Sequence, residues 1–391
     1  MRDSWLKKLN DKCSEEQLSL LKSSSDILLN NIIPPFEDSL VTLPWHPWRG
    51  ICPAPSRYLG VWNWDSAFHA ISISRWDTQL AREQILIFLE KQQPDGSLID
   101  HMRADGTWMG TAGKPPVMAW AAEIVDRRDP DDDFIAFSYD RFKKHEHFWR
   151  QYRGGAQDGL FHYDSAAEVE KRKQTQAKYE SGWDTSVRWD DGIIALWPVD
   201  LNCYMVLFYS ALAYMAERTG EAAEIPVWKE REKNLAREIN TRLYDDSTQC
   251  YLDYNREKEC FSPVLSPACF MPLYTGIASK EQAEPLSRLA ADKNKFFPGM
   301  PTVSYDDPKY TPDDYWRGPL WLNVAFFALK GLKNYGYAKT ADASRNTILS
   351  WCAQNDSAYE IYNSRTGQGL RTKDFGWSAV FIIELILGWE E

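Results

Sequence analysis

Hydrophobic residues recur at helical spacing along most of the chain, in stretches separated by loops rich in Trp, Gly, Pro and Asp. Residues 200–219 give the clearest pattern, because Asp200 stands at the start and Gly220 follows the end. Strand signals are sparse and local, as at residues 249–254. The pattern predicts helices near residues 65–76, 78–93, 116–126, 134–152, 200–219, 226–243, 279–292, 319–333, 338–354 and 376–388.

The first part of the chain contains one further amphipathic stretch, over residues 13–33. Ser14 is its predicted cap, and Pro34 and Pro35 are its predicted stop. We therefore predict a helical lead-in over residues 1–44, before the repeated unit of loop and helix begins. No linker-like tract and no fixed-period repeat divides the rest. The sequence predicts a single all-α domain over residues 1–391, with helices layered on helices.

Composition narrows the class of protein. Hydrophobic residues make up 44% of the chain, which excludes disorder as the main state. The formal charge of -11 argues against nucleic acid or an anionic membrane as partner, and no apolar run approaches the length of a membrane span. The chain opens without a secretory pattern, and its seven cysteines lack metal-ligand spacing. We predict a cytoplasmic protein with reduced thiols and no metal or cofactor; the oligomeric state stays open.

Aromatic residues are abundant, with 18 Trp and 19 Tyr. They gather with polar residues in four loop clusters, at residues 58–65, 179–190, 314–321 and 359–378. Flat rings stack on the apolar C–H faces of sugars, so these clusters are typical of a carbohydrate cleft. A large helical core and pockets for other ligands are also rich in aromatic residues. Composition alone leaves both interpretations open.

Two carboxyl groups in these clusters fit the needs of glycoside hydrolysis. That reaction requires a protonated acid for the leaving oxygen and, with inversion, a second carboxylate that activates water. Asp184 follows Gly182 and Trp183, and an aromatic setting raises the pKa of a carboxyl group. Glu360 lies in a distant polar loop, as a base would. The alternative is structural, because an Asp after a loop glycine is often only a helix N-cap.

The motifs resemble those of a known enzyme family. Residues 180–189 read Glu-Ser-Gly-Trp-Asp-Thr-Ser-Val-Arg-Trp, which closely resembles the acid-bearing signature of trehalases and of glycoside hydrolase family 63. Residues 64–65, 114–116, 198–202, 315–318 and 375–378 match in the same order, so the resemblance covers residues 45 to 389. Trehalases usually carry a glycine-rich run before their Phe-Gly-Trp, whereas residues 362–367 here are more similar to family 63.

The resemblance implies an (α/α)6 barrel and an inverting, exo-acting α-glycosidase. It makes Asp184 the general acid and Glu360 the general base. The residues expected to bind substrate are Trp64, Asp65, Lys114, Trp183, Arg188, Trp316, Gly318 and Trp377. The chain is similar to compact bacterial-type members, which include hydrolases of mannosylglycerate and glucosylglycerate. A small α-glucoside or α-mannoside of that kind is the expected substrate.

Lys114 bears on the part of the substrate beyond the sugar, the aglycone. Many relatives carry Gln at this position, and a cation in the cleft would suit a substrate carboxylate. A solvated loop lysine is an equally good interpretation. Arg188 and Arg317 are alternative partners for an anion, although trehalase-like proteins with neutral substrates carry similar arginines. The sequence therefore leaves the aglycone open.

Three other functions compete with this one. A trehalase or an oligosaccharide α-glucosidase would fit the same motifs. A sugar 2-epimerase shares the fold but needs histidines, and all six lie at residues 46 to 162, with none in the second half. A non-catalytic sugar-binding protein is disfavoured because both carboxylates are present. His69 is predicted to be a buried structural histidine, and the acidic run at residues 129–133 a solvated turn.

Overall fold

The computed structural model describes residues 1–33, 43–110 and 113–391, so the predicted stop at Pro34 and Pro35 lies outside the described residues. The described chain is mainly helical. Its helices are α1 (Arg2–Lys7), α2 (Glu15–Asn30), α3 (Asn63–Ile73), α4 (Thr78–Glu90), α5 (Met118–Arg128), α6 (Asp132–Tyr152), α7 (Glu170–Ser181), α8 (Val199–Arg218), α9 (Ile225–Arg242), α10 (Met271–Tyr274), α11 (Lys280–Ala291), α12 (Leu322–Asn334), α13 (Ala338–Gln354) and α14 (Gly376–Ile386).

Six helices form a closed inner ring. Each packs on the next in the order α3, α5, α8, α10, α12 and α14, and α14 returns to α3. The outer layer consists of α2, α4, α6, α9, α11 and α13. Every residue of α3 and α14 is buried, whereas α9 buries only Trp228, Leu235 and Ile239 on one face. This is the predicted (α/α)6 barrel, and the fold prediction is confirmed.

The segment expected to be a helical lead-in, residues 1–44, contains two described helices, α1 and α2. Helix α2 begins with a capping box in which the Ser14 side chain and the Gln17 side chain bond each other's backbone N–H groups. The helix packs along α14 and against α13, with Leu21 and Leu28 fully buried. Residues 15–30 therefore supply an outer helix of the barrel.

Three of the described helices were not predicted, for different reasons. Helix α1 has six residues and buries none of them, so it has no apolar stripe to detect. The segment that forms α7 is highly charged and buries only Ala177, Glu180 and Ser181, so it has no apolar stripe to detect. The inner helix α10 has only four residues and begins beside Pro272. A single turn is too short to produce a recurring pattern. The ten predicted helices all exist, with bounds that differ by a few residues.

Twelve short strands lie in the loops of the described chain: β1 (Ile32–Ile33), β2 (Gly50–Ile51), β3 (Gly60–Trp62), β4 (His101–Arg103), β5 (Trp108–Met109), β6 (Leu196–Trp197), β7 (Tyr244–Asp245), β8 (Cys250–Tyr251), β9 (Tyr254–Asn255), β10 (Cys260–Phe261), β11 (Tyr359–Tyr362) and β12 (Gly369–Lys373). They form small antiparallel sheets, β3–β4–β5 and β11–β12 among them. The strand signal at residues 249–254 corresponds to β8 and β9, which belong to different sheets. The β11–β12 hairpin matters most for the site described below.

Helix α8 has the length and hydropathy of a membrane span, and in the described part of the chain it is the one helix that meets both criteria. Of its most apolar 18-residue window, 83% is buried inside the barrel. Its apolar residues are therefore accounted for by the barrel core.

Candidate active site

The loops that open the inner helices meet at one end of the barrel and enclose a cavity of about 120 Å³. All four of the aromatic clusters seen in the sequence contribute to its wall. Its lining residues are Pro53, Tyr58, Trp62, Trp64, Asp65, Lys114, Gly182, Asp184, Tyr315, Trp316, Trp321, Glu360, Phe375 and Trp377. The fold thus brings together residues that are about 300 positions apart in the chain, on a rigid scaffold.

A larger cavity, of about 510 Å³, lies among residues nearer the carboxyl ends of the inner helices. Two of its lining carboxylates form ion pairs with arginines. Glu384 pairs with Arg75, and Glu391 pairs with both Arg75 and Arg128. No buried polar side-chain atom in the described lining of this cavity lacks a hydrogen-bond partner. The smaller cavity, which holds the predicted residues, is therefore the candidate active site.

Asp184 owes its position to the end of α7. Gly182 closes that helix with a φ of +74°, and a Cβ there would lie 2.5 Å from the Trp64 ring. Two residues later the half-buried Asp184 lines the cavity, and its buried Oδ1 has no hydrogen-bond partner among the described residues. Burial raises the pKa of Asp184 to about 7, although the Lys114 charge pulls it down. A carboxyl group with this pKa is protonated often enough near neutrality to donate a proton.

Glu360 has a different environment. It lies in β11 where the register against β12 shifts between Tyr359 and Ile361, and such a bulge redirects a side chain. The carboxylate is 1% exposed and accepts three hydroxyl hydrogen bonds. Tyr58 and Tyr315 donate to Oε1 at 3.0 and 3.2 Å, and Thr372 donates to Oε2 at 2.9 Å. Three donors hold the Glu360 carboxyl group in one orientation.

Asp65 is a third carboxyl group in the cavity. It lies in the first turn of α3, is 3% exposed, and burial raises its pKa to about 8 in spite of the nearby Lys114 charge. Asp65 is more deeply buried than Asp184.

Tryptophan rings form that floor. Trp316 stacks on Trp321 with ring centroids 3.9 Å apart, and Trp64 meets Trp377 edge-on at 4.9 Å. The indole N–H groups of Trp316 and Trp377 are buried and have no acceptor in the described residues. Flat faces with spare donors are what a sugar ring and its hydroxyl groups require.

Lys114 belongs to the cavity wall and is not a solvated loop residue. Its side chain is buried, and Nζ donates to the Tyr179 carbonyl at 2.6 Å and lies 3.4 Å from Asp100 Oδ1. Burial lowers the pKa of Lys114, but the charges of Asp100, Asp184 and Asp65 outweigh this and raise it. The lysine therefore stays charged and lowers the pKa of both Asp184 and Asp65.

Replacing Lys114 by Gln should move the alkaline limb of the kcat/KM profile to higher pH. The acid must be protonated, so activity falls as pH rises through its pKa, which is about 7 for Asp184. Removing the positive charge raises that pKa and extends activity upward. The shift is measured by comparing the pH dependence of kcat/KM for Lys114→Gln with that for the control Lys171→Gln, which changes an exposed lysine on α7. A limb that stays in place or moves to lower pH would contradict this role of Lys114.

Arg188, expected to bind substrate, does not reach the cavity. Its side chain is fully buried and forms bidentate ion pairs with Asp200 and Asp253, at distances between 2.7 and 2.9 Å. The guanidinium lies over the Trp183 and Trp189 rings, which leaves no face for a ligand. Its geometry supports a structural role: it ties the acid-bearing loop to the start of α8.

Trp183 and Gly318 lie behind the lining. Trp183 stacks on Trp316 at 5.1 Å and supports it from the rear. The Gly318 N–H group donates to Thr302, and the Gly318 carbonyl accepts from Ser364, so both backbone groups are used. Arg317 is likewise committed, to Asp190 and to the Thr185 carbonyl.

The other predicted site residues share the one cavity. The expected acid and base both line it, together with the remaining residues expected to bind substrate, which are Trp64, Asp65, Lys114, Trp316 and Trp377. The fold therefore brings the predicted site together, except for the arginine and the two residues behind the lining.

The sequence interpretation did not assign a role to Tyr58, Tyr315 or Thr372, the three donors to Glu360. The two tyrosines lie in aromatic clusters that the sequence makes visible, so their clustering with Trp was an available signal. Thr372 follows Arg371 in an ordinary polar segment, and nothing in the sequence distinguishes it.

Other polar residues singled out in the sequence lie elsewhere. His69 is fully buried, and burial lowers its pKa to about 3, which agrees with a structural histidine. The described lining contains no histidine, and the described residues contain no cluster of potential metal ligands.

Comparison with known proteins identifies the family of the chain. Residues 58–378 match the sequence model of the mannosylglycerate hydrolase MGH1-like glycoside hydrolase domain. The chain belongs to this glycoside hydrolase family. It is 23% identical to a mannosylglycerate hydrolase of Rubrobacter radiotolerans, over 86% of this chain and 92% of that protein. It is 24% identical to the mannosylglycerate hydrolase MGH1 of Selaginella moellendorffii, over 85% and 81% of the two chains.

Solved structures share the fold of this glycosidase. A family 63 mannosylglycerate hydrolase of Thermus thermophilus, in complex with glucose, superposes with a TM-score of 0.77 at 22% identity, over 93% of this chain and 99% of that one. Neutral trehalase of Saccharomyces cerevisiae superposes with a TM-score of 0.72 at 19% identity, over 88% and 74%. The resemblance to glycoside hydrolase family 63 is confirmed, as is the glycosidase class.

Proposed function

We propose that the protein is an inverting, exo-acting α-glycosidase that hydrolyses glucosylglycerate or mannosylglycerate, with Asp184 as general acid and Glu360 as general base. The observation that carries the proposal is the contrast between these two carboxyl groups in one cavity. Asp184 has a pKa raised to about 7 and a buried oxygen without a described partner. Glu360 accepts three hydroxyl hydrogen bonds, which hold its carboxyl group in one orientation.

The reaction follows from these two environments. Asp184 donates its proton to the glycosidic oxygen as the bond to the anomeric carbon breaks. Glu360 removes a proton from a water molecule that attacks that carbon from the opposite face, so an α-linked substrate releases a β-sugar. Stacking on Trp64, Trp316 and Trp377, with Asp65 bonded to a hydroxyl group, would hold the sugar during this step.

The size of the site and the relatives support the choice of substrate. A cavity of about 120 Å³ closed by a tryptophan floor suits one terminal sugar, as in an exo-acting enzyme. Two relatives that match this chain over most of their length are mannosylglycerate hydrolases, which favours a substrate in which a sugar is joined to glycerate. A neutral disaccharide such as trehalose is the alternative, favoured by the likeness of the fold to neutral trehalase. The cytoplasmic location stays a prediction, supported by seven unpaired cysteines.

Time-resolved NMR of anomeric protons tests the function. The substrates are mannosylglycerate, glucosylglycerate, trehalose, kojibiose and nigerose, each with an α-linkage. We expect β-sugar to appear first from one of the two glycerates, followed by slow mutarotation. Initial release of α-sugar would contradict inversion. Turnover of trehalose alone would mean that the substrate is trehalose and not a glycosylglycerate. Conversion of free sugar to its 2-epimer would overturn the hydrolase assignment.

A further inference from the structure

The mouth of the active-site cavity carries two arginines that the hydrolysis mechanism does not use. Burial separates the floor, at Trp64, Trp316 and Trp377, from the partly exposed lining at Tyr58, Trp62 and Tyr315. The sugar is enclosed by the floor, so the aglycone projects past the exposed lining. Groups placed beside that lining are therefore the ones that meet the aglycone.

Each tyrosine that donates to Glu360 has a guanidinium over its ring. Arg57 lies 5.5 Å from the centre of the Tyr58 ring, and Arg371 lies 4.5 Å from the centre of the Tyr315 ring. The two phenolic hydroxyl groups meet at the same oxygen of Glu360. Each arginine therefore lies against the ring of a tyrosine that lines the cavity. Both are exposed, and neither side chain has a hydrogen bond or ion pair within the described ranges.

The backbone at Arg371 is unusual for this purpose. In a regular strand neighbouring side chains point to opposite faces. Here Thr372 donates to Glu360 while the adjacent Arg371 covers Tyr315, which is bonded to the same carboxylate. Arg371 has a φ of +65°, in the left-handed region that costs free energy for a residue with a side chain. Strain of this kind persists where the surrounding structure holds a side chain in a particular place.

Electrostatics requires a cation at the mouth if the substrate is an anion. The proposed base, Glu360, acts as a carboxylate in this cavity and repels a negatively charged aglycone. Lys114 is not placed to bind the aglycone carboxylate directly, because its ammonium group donates to the Tyr179 carbonyl and lies 3.4 Å from Asp100 Oδ1. Arginine forks bind carboxylates with two parallel hydrogen bonds and keep their stacking on an aromatic ring.

We propose that Arg371, assisted by Arg57, binds the carboxylate of the aglycone and makes the enzyme selective for α-glycosides of a small hydroxy acid. The inference rests on the proposed function and names the residues that set its specificity. Arg371 takes the place of Lys114 as the expected partner of the substrate carboxylate. Lys114 acts instead on the acid and on the sugar pocket.

The test compares two substrates that differ in one group. Glycosylglycerate and the matching glycosylglycerol share the sugar and the linkage, but the second has a hydroxymethyl group in place of the carboxylate. For Arg371→Gln we expect kcat/KM on the glycerate to fall about 10-fold, mainly through KM, and on the glycerol to stay within about 2-fold. The double variant with Arg57→Gln should lose about 100-fold on the glycerate, and Arg371→Lys should retain part of the preference.

Arg365→Gln is the matched control. Arg365 lies in the same hairpin, is exposed and stacks on Tyr305, but it is not at the cavity. It should behave as wild type on both substrates. Equal losses on glycerate and glycerol in Arg371→Gln, or no loss on either, would overturn the inference and leave the hydrolase proposal standing. A wild-type protein that cleaves neither compound would sink the proposed function, and the inference with it.

Discussion

Replacing Asp184 by Asn is expected to lower kcat on the natural substrate by about 10³-fold while leaving the fold intact. The amide has the shape of the carboxyl group but cannot donate a proton to the leaving oxygen. The Oδ1 atom has no described hydrogen-bond partner, so the substitution breaks no described hydrogen bond of that atom. Circular dichroism and thermal melting would verify the fold, and initial rates would give kcat.

A second substrate separates loss of the acid from general damage to the site. Fluoride leaves an α-glycosyl fluoride without protonation, so the Asp184→Asn variant should retain most of its activity on that compound. Asp191→Asn is the control, because Asp191 lies outside the cavity lining and its side chain is 68% exposed. Full activity of Asp184→Asn on the natural substrate would remove Asp184 as the acid. Equal loss on both substrates would mean that the variant damages binding or the base.

The pKa of Asp184 also connects the structure to pH dependence. The value of about 7 predicts that kcat/KM falls as pH rises above neutrality, when the acid loses its proton. Asp65 has a pKa of about 8 and responds to Lys114 in the same direction. The shift expected for Lys114→Gln is therefore upward whichever of the two carboxyl groups controls the alkaline limb.

The helices could be predicted wherever burial leaves a stripe along the sequence. The segment 338–354 was predicted with the bounds that α13 has, because Ala341, Ile348 and Cys352 recur on its buried face. The polar helix α7 gave no such signal, since its role is to bring Gly182 and Asp184 to the cavity and not to fill the core. Periodicity reports burial, and it therefore misses elements that serve only to position a loop.

The residues of the site were predicted from motifs that resemble those of a known family, and not from the spacing of residue types. Motif resemblance led to Asp184 and Glu360, which line one cavity although they are distant in sequence. The same resemblance suggested Arg188 as a ligand of the substrate. A buried arginine with two carboxylate partners and a cleft arginine look alike in sequence, because the partners, Asp200 and Asp253, become neighbours only on folding. Thr372 could not be found for the same reason.

Glu360 provides the second large effect and the sharper test of inversion. Glu360→Gln should lower kcat by about 10³-fold on the natural substrate and, unlike Asp184→Asn, on the α-glycosyl fluoride as well, because both reactions need an activated water. The amide is too weak a base for that step. Its carbonyl oxygen can still accept from Tyr58 and Tyr315, and its NH2 group can donate to the Thr372 hydroxyl oxygen, so the hairpin should remain in place. Glu257→Gln, at an exposed position, serves as the control.

The anomer released by the wild type distinguishes a base from a nucleophile at this position. If Glu360 activates water, an α-linked substrate gives β-sugar first, and if its carboxylate formed a covalent intermediate, the wild-type product would retain the α-configuration. In Glu360→Ala the shortened side chain leaves room for azide, which needs no deprotonation to attack the anomeric carbon. Attack on the α-glycosyl fluoride from the face opposite the leaving group gives a β-glycosyl azide under either mechanism. Formation of that azide therefore places Glu360 on the face opposite the leaving group, and the wild-type anomer decides whether Glu360 activates water or attacks the sugar itself.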